Sequence, residues 1–242
     1  YTGSQIILKV RAPKGDEIQK LAANTTVVAM FDPYRNPELD QFAAQQVSAF
    51  ALELLPRTLS RAQNMDVLSS QANLAGYKAV LLASNHLRKI FPLMMTAAGT
   101  ITPSKVLIFG AGVAGLQAIA TAKRLGAVVE VSDVRLETKE QVESLGGRFL
   151  MVEGAETVKT QGGYAAEVSE AFLQKQKDLI SDKIKEADIV ITTALVMGKK
   201  SPILVTEDMV KSMKQGAVIV DMAVESGGNC AISEINKTVV KH

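Results

Sequence analysis

Cysteine occurs once in the 242 residues and histidine only twice. A lone Cys230 cannot build a disulfide framework, and no Cys or His stands near it at metal-ligand spacing, so no structural zinc is expected and a reducing compartment is the natural setting. Long apolar runs are also missing. The most apolar stretches, such as Ala79 to Ala83, fall far short of the ~20 residues that span a bilayer. Blocks of like charge are absent: 27 Lys and Arg stand against 25 Asp and Glu, a net charge of +2, which argues against nucleic-acid or polybasic membrane binding. There is no internal repeat and no low-complexity tract. The sequence opens at Tyr1 with no charged segment leading into an apolar one, so a fragment is expected rather than a signal-bearing precursor. The length suits one large α/β unit or two modest domains, and 47% hydrophobic content with few aromatics is ordinary for a soluble α/β enzyme.

What is present alternates between strand and helix patterns. Ile6 to Val10 and Thr25 to Phe31 read as strands, Asp16 to Ala23 and Asn36 to Gln46 as helices, the second capped by Asn36 with Pro37 at its first position. Apolar residues at three- and four-residue intervals (Leu68, Ala72, Ala75, Ala79, Leu82) predict one long helix over about Met65 to Ile90. Turn chemistry around 92–104 marks a domain boundary. The expected organisation is a partial, N-terminally truncated α/β domain over 1–64, a linking helix over 65–91, and a nucleotide-binding domain over 92–242.

In that last domain Lys105 to Phe109, Val128 to Ser132, Arg148 to Val152, Asp188 to Thr192 and Ala217 to Met222 read as strands. Val113 to Leu125, Glu137 to Leu145, Ala165 to Glu186 and Glu207 to Met213 read as helices, with a mobile loop over Glu153 to Gly163. This rhythm predicts a Rossmann-type doubly wound parallel sheet. The first domain is the second, incomplete α/β unit, of flavodoxin-like type.

Directly after the strand Val106-Leu107-Ile108-Phe109 comes Gly110-Ala111-Gly112-Val113-Ala114-Gly115, opening a helix without proline. In that context Gly110 permits the tight turn, Gly112 removes a Cβ that would block a pyrophosphate, and Gly115 lets the helix pack closely. The phosphates would meet the helix N-terminus, where free N–H groups and the dipole favour anions. The next strand ends in Asp133, where a carboxylate accepts hydrogen bonds from the adenosine ribose and repels a 2′-phosphate, favouring NAD over NADP. Arg135 serves either a helix-entry or adenine-side role or a 2′-phosphate. Thr192-Thr193-Ala194-Leu195 follows a later strand, as a nicotinamide-side contact or as a simple strand-to-loop transition; Asp221 and Glu225-Ser226-Gly227-Gly228-Asn229 follow the next, as ligand contacts or as turn chemistry.

A dehydrogenase acting on an alcohol or amine needs a proton acceptor. His86 falls late in the long helix and His242 is terminal; Lys9 lies on the first strand with no acid or base beside it in sequence. Direct hydride exchange between two nicotinamides needs no general acid or base and suits such a chain.

The run Pro56-Arg57-Thr58-Leu59-Ser60-Arg61-Ala62-Gln63-Asn64-Met65-Asp66-Val67-Leu68-Ser69-Ser70 resembles the Arg-Gln-Asp loop of the α subunits of proton-translocating nicotinamide nucleotide transhydrogenases. Asn73 to Ala79, Thr96 to Thr100, Gly162 to Ala165, Thr192 to Leu195 and Glu225 to Cys230 resemble blocks of that family in the same order. The resemblance implies an NAD(H)-binding component that exchanges hydride with NADP(H) held on a partner domain. A membrane-spanning domain would couple this to proton movement, and the component would be a homodimer at the cytoplasmic face of a bacterial inner membrane.

It implies that Arg57, Gln63 and Asp66 act in catalysis and that these three, with Thr58, Leu59, Asn64, Met65 and Ser69, reach the nicotinamide and its ribose. Gly110, Gly112, Val113 and Gly115 would take the pyrophosphate, and Asp133, Val134 and Arg135 the adenosine. Gly163 and Tyr164 would belong to a closing loop, and Ala194 and Leu195 would flank the nicotinamide. Read without the resemblance, Arg57 and Arg61 are equally a solvated basic face, and Gln63 and Asp66 a helix-entry cap. Alanine dehydrogenase shares this layout, and its strand-borne lysine would correspond to Lys9; its downstream histidine has no counterpart in Met30 to Tyr34. A non-catalytic NAD-binding module is a third reading.

Overall fold

A computed structural model of the protein describes residues 1, 3–57, 59–152, 160–161, 164–165, 170–196 and 198–242. They form two compact units, Tyr1–Ser70 and Gln71–His242.

The first unit runs β1 (Ile6–Arg11), α1 (Asp16–Gln19), β2 (Thr26–Met30), α2 (Leu39–Ala44), β3 (Ser48–Ala51) and α3 (Ser60–Gln63). The strands pair in parallel in the order β1-β2-β3. Side chains alternate across a strand, so Ile7, Val27 and Ala29 point to one face and close a core with Ile18, Leu21, Phe31 and Phe42. The Phe31 and Phe42 rings meet edge-on with centroids 5.2 Å apart, a favoured aromatic geometry. Ile6, Leu8, Val10 and Phe50 are exposed.

Two expectations shift here. The helix expected from Asn36 starts at Leu39, because the Asn36 side chain ties off the preceding turn: its Oδ1 accepts from Glu38 N and its Nδ2 donates to Phe31 O, both at 2.9 Å. β3 is a strand where the sequence pattern predicts none.

Helix α4 (Val67–His86) leads into the second unit. Its buried residues Gly76, Ala79, Val80 and Ala83 share one face at helical spacing, and the last three belong to the same core as Ile108 and Ile119. The helix expected as a linker is thus mostly an integral layer of the second unit. Residues 92–104, expected as a boundary, lie inside that unit and carry an antiparallel pair, β4 (Met94–Thr96) and β5 (Gly99–Ile101). Thr96 Oγ1 accepts from Ala98 N at the turn between them. The polar, glycine-bearing sequence reads as a turn because the turn is real, while its short flanking strands are exposed at every position and carry no alternation.

Then follow β6 (Lys105–Phe109), α5 (Val113–Arg124), β7 (Val128–Ser132), α6 (Lys139–Ser144), β8 (Arg148–Phe149), a short antiparallel pair β9 (Thr160–Gln161) and β10 (Tyr164–Ala165), α7 (Glu170–Ile184), β11 (Ile189–Thr192), α8 (Glu207–Lys211) and β12 (Val218–Asp221). Ala165, expected to begin a helix, pairs with Thr160 instead. The loop expected over Glu153 to Gly163 falls mostly outside the described residues.

Five strands form one parallel sheet in the order β12-β11-β6-β7-β8. Val106, Ile108, Val129, Val131, Ile189 and Ile191 share a core with residues of α4, α5 and α6. Leu107, Phe109 and Val190 share another with Ile180 and Ile184 of α7 and Met209 of α8. Both faces are therefore covered, which is why these strands read as continuous apolar runs rather than alternating ones. Counted within the unit, the strand order is the Rossmann 3-2-1-4-5, and it reverses between β6 and β11. In open sheets of this kind ligands bind beyond the carboxyl ends of the strands at such a reversal. Among the described residues no helix is long and apolar enough to cross a membrane.

Candidate functional site

At the end of β6 the chain must turn sharply into α5. Gly110 does this at φ +99°, a left-handed conformation open to glycine, with its N–H donating to Ser132 O at 2.9 Å. A Cβ on Gly110 would come within 2.4 Å of Thr193 Oγ1, and one on Gly115 within 1.8 Å of Gly110 O, so the turn folds back onto the helix it starts. Gly112 differs. Its φ −78° and ψ −170° suit any residue, and a Cβ there would meet nothing within 4 Å. Nothing among the described residues requires glycine at 112, so the backbone there is open to close approach from outside. No side chain caps the 12-residue α5, and Leu116 N bonds back to Gly112 O at 2.8 Å, leaving the first-turn N–H groups aimed outward as an anion site. Val113 is exposed there. The loop thus fits a dinucleotide's pyrophosphate.

Asp133, at the end of β7, is buried and reaches that loop: its Oδ2 accepts from Ala111 N at 2.6 Å. The rest of its capacity goes to Arg135. Oδ1 accepts from Arg135 N at 2.8 Å and Nε at 3.0 Å, and Oδ2 from Nη2 at 2.8 Å. The carboxylate expected to await a ribose is held by its neighbour, because a two-residue spacing beyond the strand lets the guanidinium fold back as a fork. Val134 between them is half-buried.

On the other side of the strand-order reversal, β11 ends in Thr192 and continues as Thr193-Ala194-Leu195. Thr193 N donates to Phe109 O at 2.8 Å, and its hydroxyl lies 3.1 and 3.2 Å from Phe109 O and Gly110 O, fastening this loop to the glycine loop. Asn229, fully buried, grips the next peptide at both ends: Oδ1 accepts from Ala194 N at 3.0 Å while Nδ2 donates to Ala194 O at 2.9 Å and to Pro202 O at 2.8 Å. Asn229 is itself set by Asp221. Asp221 Oδ2 accepts from Asn229 N at 2.9 Å and Cys230 N at 3.0 Å, and its Oδ1 from Thr192 Oγ1 and Ala223 N, both at 3.0 Å. Asp221 and Asn229 therefore serve as turn chemistry that places Ala194 and the exposed Leu195. Sequence spacing carried no sign of the Asn229–Ala194 clasp.

In the first unit, Asp66 precedes α4 and caps it. Oδ1 accepts from Ser69 N at 2.9 Å and Oδ2 from Ser69 Oγ at 2.5 Å, the N-cap geometry that short polar residues favour. Burial works against its charge, but the Ser69 hydroxyl and amide, then the Arg57 charge, hold its pKa below the usual value. The cap reading is thus realised for Asp66 and not for Gln63, and it brings Asp66 and Ser69 together with the Arg57 charge acting on the carboxylate. Gln63 ends α3, Asn64 follows it as its C-cap, and Leu59 and Met65 are exposed. Thr58 and Gly163 lie outside the described residues; Tyr164 pairs with Gln161.

Lys9 is not poised as a base. Its Nζ lies 2.7 and 2.9 Å from the two Glu17 carboxylate oxygens, which raises the lysine pKa, while the Glu17 pKa is lowered to about 2. His86 is exposed in the last turn of α4.

Residues 1–75 match the family Alanine dehydrogenase/PNT, N-terminal domain, and residues 79–242 match Alanine dehydrogenase/PNT, C-terminal domain. The chain is 50% identical to an NAD(P) transhydrogenase subunit alpha polypeptide of Rhodospirillum rubrum over 99% of its length, and it spans 64% of that relative. It is 29% identical to alanine dehydrogenase of Bacillus subtilis over 93% of its length and 54% of that protein's. The solved structure of transhydrogenase from Sinorhizobium meliloti superposes with a TM-score of 0.88 at 48% identity, covering 98% of this chain and 64% of that one. With both domain matches in register along it, the chain belongs to the alanine dehydrogenase/PNT family.

Proposed function

We propose that this chain is the NAD(H)-binding component of a proton-translocating nicotinamide nucleotide transhydrogenase. The observation that carries the nucleotide site is Gly112: an uncrowded glycine, free of conformational demand, beside an uncapped helix N-terminus in the switch-point crevice of a Rossmann sheet. On this reading Gly110, Gly112, Val113 and Gly115 bind the pyrophosphate, Asp133, Val134 and Arg135 the adenosine, and Ala194 and Leu195 orient the nicotinamide. The carboxylate of Asp133 disfavours a 2′-phosphate.

Arg57, Gln63 and Asp66 are assigned to the reacting nicotinamide, with Thr58, Leu59, Asn64, Met65 and Ser69 as further contacts and Gly163 with Tyr164 as part of a closing loop. The resemblance of the Arg57 to Ser70 run supports this, together with the Arg57–Asp66–Ser69 cluster. Hydride exchange between bound nicotinamides needs no general acid or base, which agrees with the ion-paired Lys9 and exposed His86. The partners we assign are an NADP(H)-binding domain and a membrane-spanning domain, with the chain a homodimer at the cytoplasmic face of a bacterial inner membrane.

Titration with NADH and NADPH, followed by dihydronicotinamide fluorescence, tests the nucleotide assignment. NADH should bind at least about tenfold more tightly than NADPH, which needs only about 1.4 kcal/mol of like-charge cost from a carboxylate that Arg135 partly compensates. Equal affinities, or no binding of NADH, would refute it.

A further inference from the structure

The Asp133 carboxylate is saturated. A carboxylate offers about four lone-pair sites, and here four donors occupy them: Ala111 N, Arg135 N, Arg135 Nε and Arg135 Nη2. It is also shielded: its side chain is 4% exposed and that of its partner Arg135 only 14%. A ribose diol therefore finds neither a free acceptor nor an open path to one. Two of the four donors are backbone N–H groups, fixed by the glycine turn and by the bend after β7; they orient the carboxylate and stay. The other two are the parallel N–H groups of one side chain, aimed at different carboxylate oxygens, as the two hydroxyls of a vicinal diol would be.

We infer that Arg135 is a displaceable stand-in for the adenosine ribose: the nucleotide enters by exchanging the two Arg135 side-chain bonds on Asp133 for its 2′- and 3′-hydroxyl bonds. The inference rests on the proposed NAD(H) site and adds to it a competition inside the protein. No charge is left buried and unpaired in the free protein, which would be costly. In the bound state the carboxylate keeps four donors. The diol's hydrogen bonds are thus largely offset in affinity by the pair they replace, so the wild-type protein discriminates weakly for the hydroxyls even though Asp133 receives them. Arg135 acts as a specificity-determining residue by lowering the value of the correct contact.

The test is a cycle between Arg135 and the diol. The protein and its Arg135→Ala and Arg135→Gln variants are titrated calorimetrically with NAD⁺ and with NAD⁺ carrying 2′,3′-dideoxyadenosine, and circular dichroism checks folding of each variant. Competition predicts that the preference for NAD⁺ over the dideoxy analogue grows in both variants, by about tenfold or more, the factor carried by a hydrogen bond to a charged group. An unchanged preference, a smaller one, or loss of NAD⁺ binding in folded variants would overturn it, since Arg135 would then be neutral or cooperative. If the wild-type protein itself does not bind NAD⁺, the nucleotide assignment fails rather than the exchange alone. Glutamine keeps part of the side-chain bulk and a polar head without the charged two-donor fork, so agreement of the two variants separates competition from a cavity left by alanine.

Discussion

Replacing Asn229 should loosen the protein and its crevice together. Asn229→Ala empties a fully buried position and removes three part-buried hydrogen bonds, leaving Ala194 N and Ala194 O on a half-buried residue and Pro202 O on an exposed one without that partner. An unsatisfied buried group costs about 1–3 kcal/mol, but the three share one side chain and two neighbouring loops, so the losses do not add in full. Water can reach part of the freed groups, so we expect about 2 kcal/mol. Asn229→Asp should cost more despite its near-identical shape, because it keeps an acceptor for Ala194 N while setting a negative oxygen against two carbonyl oxygens. Urea unfolding reads both, as a fall in midpoint at constant slope. Under conditions where the alanine variant stays folded, NADH affinity should also fall, since Ala194 and Leu195 lose their clasp. Stability of Asn229→Ala within about 0.5 kcal/mol of wild type, the range of an ordinary surface substitution, would refute the argument. So would an aspartate variant more stable than the alanine one.

The glycine loop makes a paired prediction. Gly112→Ala should leave the urea midpoint nearly unchanged, because its Cβ meets no protein atom, while weakening NADH binding in a fluorescence titration; Gly115→Ala should lower stability by about 1–3 kcal/mol through a clash with a backbone carbonyl. At the other end of the sheet, Asp188 accepts from Lys105 N at 2.8 Å and from Lys89 and Lys214 Nζ at 3.0 Å each. Burial alone would raise its pKa, but these donors outweigh it and the pKa is lowered. A carboxyl depressed in the folded state stabilises above its unfolded pKa, about 4, and loses that contribution as pH falls below it through the folded value. Asp188→Asn should therefore be less stable than wild type at about pH 7, with the gap closing in acid unfolding below about pH 4. Lys9→Met should leave NADH binding unchanged, since Lys9 serves a partly exposed ion pair with Glu17; a large loss of affinity would reopen a catalytic role for that lysine.

The Rossmann strands were legible because burial on two faces writes continuous apolar runs, Val106 to Phe109 and Val128 to Val131 among them, and because Gly110 to Gly115 follows one of them directly. β3 was not: Ser48-Ala49-Phe50-Ala51 has an exposed phenylalanine and no apolar alternation. The long helix could be read from its spacing, but its membership in the second core depends on Gly76, where a Cβ would come within 2.1 Å of Ala114 O, a contact between residues distant in sequence. The same holds at the candidate site. Asp133 and its position were visible in sequence, whereas its capture by Arg135 is a rotamer. The Asn229–Ala194 clasp joins residues 35 apart and follows from tertiary placement alone. For Asp66 the cap was open to sequence reasoning as an alternative, and the Ser69 bonds realise it.

Mixing the protein with a purified NADP(H)-binding transhydrogenase domain and following hydride exchange from NADPH to an NAD⁺ analogue by absorbance tests the central claim most directly. The account predicts exchange that depends on both components and falls in Gln63→Ala at saturating nucleotide. NADH binding without exchange, with pyruvate and ammonium consumed in its place, would contradict it and make the chain an alanine dehydrogenase.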